Sequence, residues 1–183
     1  LFQRPLVILS LNINYAISEF KVWSYHLFNI VLHAFATLLV FQLVRRVRSF
    51  LEDFSPQKCF ARLPFFAALV FALHPLNTQS VTYISSRSSI MVTIFYLASL
   101  ILFFDGFKVW KDAGQKGWRY FSGSGFCFLL GGFSKEIIVT LPAMLFLFHF
   151  YFISRQTLKA WIATYAKWIF LLAIPLLAFV GYK

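Results

Sequence analysis

Negative charge is scarce in this 183-residue sequence: six Asp and Glu stand against 17 Lys and Arg, and charged residues of all kinds make up 13%. The acids are Glu19, Glu52, Asp53, Asp105, Asp112 and Glu136, too thinly spread for a carboxylate cluster. Cysteine is scarcer still. Cys59 and Cys127 have neither metal-ligand nor redox spacing, so a disulfide framework is not supported. The sequence shows no internal repeat and no low-complexity tract. It starts at Leu1 without a methionine and stops at Lys183 as an apolar run finishes, the expectation being a piece of a longer protein.

What is abundant is apolar. Hydrophobic residues make up 60% of the chain and aromatics 21%, with 25 Phe. A soluble core of this size could not hide so much apolar surface, so a bilayer is the expected solvent. In lipid every backbone polar group must bond internally, so each long apolar run reads as a helix. The expectation is an all-α, polytopic transmembrane bundle, with spans at about 22–44, 63–74, 88–104, 120–134, 137–154 and 168–182, all parts of one transmembrane domain over 1–183. The second and fourth runs are short, and Gly123, Gly125, Gly131 and Gly132 in the fourth permit close helix approach.

If the spans alternate, 12 of the 17 basic residues, from Arg45 to Lys167, fall on one side of the membrane. That side is the cytoplasmic one by the bias of Lys and Arg toward the cytoplasm. The net charge of +11 then needs no nucleic acid to explain it. Arg4, Lys21, Arg87, Lys135 and Lys183 remain outside, with only Glu19 and Glu136 as acids. Three polar stretches share this outer face: QRPLVILSLNINYAISEF, HPLNTQSVTYISSRSS and FSKEIIVTLP. Pro75 ends the second span, and SVTYISS fits a short interfacial helix. In the opening stretch Leu6, Leu9, Ile13 and Ile17 fit a helical face, while LSLNINY alternates like a strand, so periodicity leaves both open.

On the first span His26, Asn29, His33 and Thr37 share one helix face. A polar stripe in lipid faces protein or water, either as interhelical hydrogen bonds or, for His26, in a polar cavity at the rim. Metal binding is disfavoured: imidazoles seven residues apart on one helix do not converge on one ion, and no ligand set for a divalent metal is legible. Ser134, Lys135 and Glu136 sit at a tight turn. A local ion pair is the plain reading of its two charges; otherwise each has its own partner. Arg4, Arg87 and Lys135 suit either snorkelling or a lipid phosphate.

RPLVILSLNINY, YHLFNIVLHA, FALHPLNTQSVTYISSRSS and SKEIIVTLPAMLFLF, in this order over about 4–45, 66–104 and 130–152, resemble the bacterial relatives of the tetratricopeptide-repeat O-mannosyltransferases, membrane glycosyltransferases of the GT-C fold. The resemblance implies a GT-C-like bundle with short interfacial helices on the outer face. It also implies a polyprenyl-phosphate-linked sugar donor, a protein hydroxyl as acceptor, direct displacement with inversion, and an active face on the periplasmic side of a bacterial inner membrane. The first span, the first outer loop with its catalytic carboxylate, and the tetratricopeptide repeats would lie outside this chain. Residue by residue, Arg4, Asn12, His26, Asn29, His74, Thr78, Gln79, Arg87, Lys135 and Glu136 match the family's blocks, and the resemblance implies substrate binding by Arg4, Asn12, His26, Asn29, His74, Gln79, Arg87 and Lys135. Glu136 is the one outer acid placed for general-base work. Gln79 stands where many relatives carry Glu, which removes a charge there. Two other classes compete: a noncatalytic scaffold within a larger membrane complex, and a transporter, for which Pro142 and Pro175 speak but buried acids do not.

Overall fold

Prolines mark where helices begin, because a residue without an N–H is harmless in the first turn, where that N–H would have no helical partner. In the computed structural model, which describes residues 4–52, 61–113 and 117–154, Pro5 opens α1 (Pro5–Ser18), Pro64 lies in the first turn of α3 (Leu63–Leu73) and Pro142 in that of α7 (Leu141–Phe148). Between them run α2 (Val22–Glu52), α4 (Thr78–Thr82), α5 (Arg87–Ala113) and α6 (Trp118–Gly132). Tight 3-10 turns at Pro75–Asn77 and Ile84–Ser86 flank α4, and another covers Glu136–Thr140. A π-helical turn, His149–Ser154, follows α7. No strand occurs among the described residues. The opening stretch, open between helix and strand in sequence, is helical as α1. Glu19, at φ 49°, ends that helix and turns the chain toward α2.

Two helices among the described residues are long and apolar enough to cross a bilayer: 28 residues over Val22–Ser49 and 27 over Ile84–Trp110. Pro5–Ser18, Leu63–Leu73 and Glu136–Tyr151 are apolar but shorter. Several expected spans differ in extent. The first runs to Glu52 rather than 44 and the third to Ala113 rather than 104, because the polar residues that follow each apolar run continue the same helix. The second has 11 residues, about 16 Å at 1.5 Å per residue, short of a hydrocarbon core. The stretch 137–154 is a 3-10 turn, one eight-residue helix and a π-helical turn. The expected span 168–182 lies outside the described residues.

The chain divides into two compact units, Leu1–Ile138 and Val139–Lys183. In the second, α7 buries Leu141 and Phe148. In the first, α2, α3 and α5 meet around Ala36, Ile90 and Ile94, with Leu32, Leu39 and Phe71 packed against them. Paired contacts fix the directions. Asn29 of α2 meets Arg87 at the start of α5, and Arg46 of α2 meets Asp105 further along α5, so the two helices run parallel. Against α2, α3 returns antiparallel, His33 lying 3.2 Å from the Ala72 carbonyl and Arg48 donating to the Ala61 carbonyl. After α5, α6 returns in turn, with Ser99 and Ser124 donating to each other's carbonyls at 3.0 Å.

The first unit therefore has two ends. One holds α1, the start of α2, residues 72–89 and the Ser134–Glu136 turn. The other holds Arg46, Arg48, Ala61, Asp105 and the start of α6. Exposed aromatics with polar tips ring both: Tyr15, Trp23 and Tyr83 at the first, Trp110, Trp118 and Tyr120 at the second. Such residues favour the two faces of a bilayer.

Of the four glycines expected to allow close approach, Gly131 does so most sharply. A Cβ there would lie 2.6 Å from Cδ1 of buried Ile138, so its lack of a side chain lets the Ser134–Ile138 turn fold back on α6. A Cβ on Gly123 would lie 3.3 Å from Leu102, one on Gly132 only 4.0 Å from Ile138, and one on Gly125 would meet nothing within 4 Å. Gly131→Ala is expected to destabilise the fold by about 1–3 kcal/mol through overpacking. In an Ile138→Ala background, where the cavity already costs about 2–5 kcal/mol but the obstructing branch is gone, adding Gly131→Ala should cost little further; thermal unfolding of the single and double variants checks it.

Candidate functional site

The site begins with one side chain. Arg87, the first residue of α5, is completely buried, and its guanidinium is surrounded by oxygens rather than by a carboxylate. Its Nε donates to Asn29 Oδ1 at 2.9 Å, and one terminal nitrogen donates to the Ser10 carbonyl at 3.1 Å and to Ser10 Oγ at 3.5 Å. The other donates to Asn14 Oδ1 at 3.0 Å and to the Tyr25 carbonyl at 3.4 Å. The Phe28 ring lies beneath, 4.6 Å from Cζ to its centroid, a cation–π distance. Five oxygens for five N–H donors leave nothing unspent.

The sequence prepares this locally. Ser10, Asn14 and Ser18 recur every four residues on α1 and form its buried face together with Val7, while Leu9, Ile13 and Ile17 point outward. The apolar face of α1 is thus its exposed one, the reverse of a helix in water and the arrangement expected in lipid. Asn14 also donates to Ser24 Oγ at 3.1 Å, and a short Ser18–Ser24 hydroxyl bond ties the same turn to α2. Asn29 is fully buried; while accepting from Arg87 it donates toward the carbonyls of Val81 and Tyr83, at 3.5 and 3.4 Å. One amide therefore joins α2, α5 and the α4 segment.

Directly beside Arg87 two more cations arrive. Arg4 donates from a terminal nitrogen to Ser88 Oγ at 3.4 Å, and the Lys135 ammonium donates to Ser89 Oγ at 2.8 Å. Arg4 is exposed and Lys135 half-buried. Three cations from three distant parts of the sequence thus gather on three consecutive residues, Arg87 to Ser89, in the first turn of α5, toward the positive end of its helix dipole. The arrangement gives Arg87 a different part from the substrate contact expected of it, since a wholly buried guanidinium with every donor engaged has none to offer a ligand. Arg87 holds α1, α2 and α5 together.

The other expected residues are dispersed. Asn12 lies on the exposed side of α1, away from Arg87, and it is Asn14, two residues on, that faces inward. His26 is half-buried on α2. His74 is exposed and caps the turn after α3, its Nδ1 accepting from the Leu76 N–H at 3.2 Å; Thr78 donates to the Pro75 carbonyl in the same turn. Gln79 is exposed on α4, and neither it nor His74 bonds to Arg4, Arg87 or Lys135. Glu136 is exposed at the start of its 3-10 turn, adjacent to Lys135 in sequence. His33 bonds across to α3 and stacks on Phe71, centroids 5.5 Å apart, whereas Thr37 donates back to the His33 carbonyl of its own helix. Among the described residues no three His, Cys, Asp or Glu side chains come together to hold a metal.

Sequence reasoning missed Ser10, Asn14, Ser88 and Ser89. The signal for the first two was present, because a serine–asparagine–serine stripe at four-residue spacing in an apolar helix marks the face turned from lipid. Ser88 and Ser89 carry no such signal; only contact with Arg4 and Lys135 singles them out.

Over 181 residues, 97% of its length, the chain is 32% identical to the protein O-mannosyl-transferase TMTC2 of Mus musculus and 32% identical to that of Homo sapiens. To the protein O-mannosyl-transferase TMTC3 of Mus musculus it is 36% identical over 98 residues, covering 54% of the chain and 10% of that protein. The chain spans about one fifth of the length of the TMTC2 proteins it matches, 20% in each case. No protein-family model and no solved structure matches it.

Replacing Arg87 with Met leaves Asn14 Oδ1 and Asn29 Oδ1 without a donor, while the Ser10 and Tyr25 carbonyls keep their places in the helix ladders. At about 1–3 kcal/mol for each buried group left unsatisfied, the expected loss is about 2–6 kcal/mol. Asn14→Ala should cost about 1–3 kcal/mol for the same reason. Thermal unfolding of the protein in detergent or nanodiscs measures both.

Proposed function

We propose that this chain is a segment of the membrane-embedded part of a protein O-mannosyl-transferase, and that its Arg4–Lys135 cluster holds the phosphate of a polyprenyl-phosphate-linked mannose donor. The observation that carries this reading is the meeting of Arg4 and Lys135 on adjacent hydroxyls, Ser88 and Ser89, in a chain homologous over nearly all its length to enzymes of that name.

Membrane embedding is supported by physical length. Between Asn29 and Arg46 lie 17 residues of α2, and between Arg87 and Asp105 lie 18 of α5. At 1.5 Å per residue the two polar links are about 26 Å apart, close to the thickness of a hydrocarbon core. Of the described basic residues, Arg45, Arg46, Arg48, Arg62, Lys108 and Arg119 gather toward the Arg46 end and Arg4, Lys21, Arg87 and Lys135 toward the other. The bias of basic residues puts the Arg46 end in the cytoplasm and the Arg4–Lys135 cluster on the opposite face. A bacterial inner membrane with a periplasmic cluster is the setting the sequence resemblance implies; the relatives named above are animal proteins.

In this reading the hydroxyl oxygen of an acceptor serine or threonine attacks the anomeric carbon of the sugar as the bond from that carbon to the phosphate oxygen breaks. The hydroxyl proton passes to a carboxylate, and the polyprenyl phosphate leaves with the bonding electron pair. Glu136 is the carboxylate this chain offers next to the cluster, and a second acid from outside the chain is the resemblance's expectation for the base. Arg4, Lys135 and the positive end of α5 oppose the charge that grows on the leaving phosphate, which is where fixed cations accelerate a displacement most. His26, His74 and Gln79 on the same end are available to the sugar or the acceptor. A larger membrane assembly around the whole protein fits the exposed apolar residues of α3 and α6, Phe65, Phe66, Phe126 and Leu129 among them.

The test is transfer of labelled mannose from polyprenyl-phosphate mannose to an acceptor protein by the full-length protein in membranes. Arg4→Gln and Lys135→Gln should each lower turnover by about tenfold to a hundredfold with membrane assembly intact. Normal turnover in both variants would remove the cluster from the mechanism, and a wild-type protein that transfers no mannose would leave the noncatalytic scaffold.

A further inference from the structure

We infer that Arg87 is a positioning residue, which sets the separation of Arg4 and Lys135 by clamping α1 across the first turn of α5 without touching the ligand itself. The inference rests on reading Arg4 and Lys135 as the phosphate-binding pair.

Apart from the Ser24 bonds to Asn14 and Ser18 at its C-terminal turn, α1 is held chiefly through Arg87. Of its four buried residues only Val7 is apolar; the other three are Ser10, Asn14 and Ser18. Packing therefore contributes little to its position, and hydrogen bonds decide it. Two of those bonds run from the Arg87 guanidinium, to the Ser10 carbonyl and to Asn14 Oδ1. Arg4 lies six residues before Ser10, about 9 Å along the helix axis, so a small rotation of α1 about the clamp is magnified at Arg4. Arg87 also precedes, on the same helical turn, the two serines that Arg4 and Lys135 reach. One rigid turn therefore fixes both cations, Lys135 through Ser89 and Arg4 through α1 and Ser88.

The clamp depends on the shape of the guanidinium as well as its charge. Its planar fork presents five donors in fixed directions, and here they serve Asn29, Ser10, Asn14 and Tyr25 together. A lysine has three donors on one atom and cannot reach four groups on α1 and α2 at once. Arg87→Lys thus keeps the positive charge while loosening the clamp, and separates a positioning role from a purely electrostatic one.

The experiment measures binding of sugar-free polyprenyl phosphate to the full-length protein in nanodiscs, for the wild type, Arg87→Lys, Asn14→Ala and Arg46→Gln. Arg46 bonds to Asp105 through two N–H groups, at 2.7 and 2.9 Å, so Arg46→Gln cuts a link between the same two helices at their far end. Arg87→Lys and Asn14→Ala are expected to weaken polyprenyl phosphate binding about tenfold, while Arg46→Gln lowers thermal stability and leaves the affinity within about twofold. In turnover with polyprenyl-phosphate mannose, the first two should raise the donor KM more than they lower kcat. Unchanged affinity in Arg87→Lys, or equal weakening by Arg46→Gln, overturns the positioning role. Should Arg87→Lys fail to assemble, Asn14→Ala decides, since it leaves the arginine in place. A wild type that binds polyprenyl phosphate without transferring mannose refutes the proposed function and leaves the clamp standing; one that does not bind it overturns both.

Discussion

A buried cation without a carboxylate partner is the constraint from which this end of the protein is built. A guanidinium taken out of water must find an oxygen for each of its N–H groups, and Arg87 finds them on α1 and α2. The consequences reach outward from it. Asn29 has to be buried, and its amide nitrogen, committed in turn, faces the carbonyls of Val81 and Tyr83. Ser10 and Asn14 have to face inward, which turns Leu9, Ile13 and Ile17 of α1 outward. A scarcity of acids, first a property of composition, becomes a property of the site: Arg4, Arg87 and Lys135 bond to amides, hydroxyls and carbonyls of the chain.

The same logic organises the helix contacts elsewhere. Ser99 and Ser124 exchange hydrogen bonds between α5 and α6, the two hydroxyls 2.8 Å apart, and Gly106 lies against Tyr120 and Phe121 of α6. Small and hydroxyl-bearing residues do here what leucines do in a soluble bundle, because lipid leaves no hydrophobic drive to join apolar faces. Phe103, Phe107 and Phe121 then fill the α5–α6 contact edge to face, their centroids 5.0–5.7 Å apart. Polarity inside and apolarity outside are two statements of one solvent.

Much of the fold was legible in the sequence, and the limits have physical causes. Apolar runs located α2, α3, α5 and α6, since lipid makes every long apolar stretch helical. The helices run on where the apolar runs stop, as α2 does through Arg45, Arg46 and Arg48. The break of 137–154 into a 3-10 turn, α7 and a π-helical turn was invisible because hydropathy is blind to backbone geometry. In the site, the meeting of Arg4 with Ser88 and of Lys135 with Ser89 joins residues 84 and 46 positions apart, which spacing alone does not show. The charge of Arg87 is plain in the sequence, and its burial follows from Ser10 and Asn14, whose four-residue spacing with Ser18 marks the inner face of α1 on which Asn12 does not lie.

The parallel pair α2 and α5 is fastened at both ends, by Asn29 with Arg87 and by Arg46 with Asp105. Sliding one past the other by a single turn, about 5.4 Å, would break both fasteners at once. These two helices therefore form the stationary post of the first unit. The short pieces around it, α1 and the tight turns between α3 and α5, are joined to it mainly by hydrogen bonds at one end.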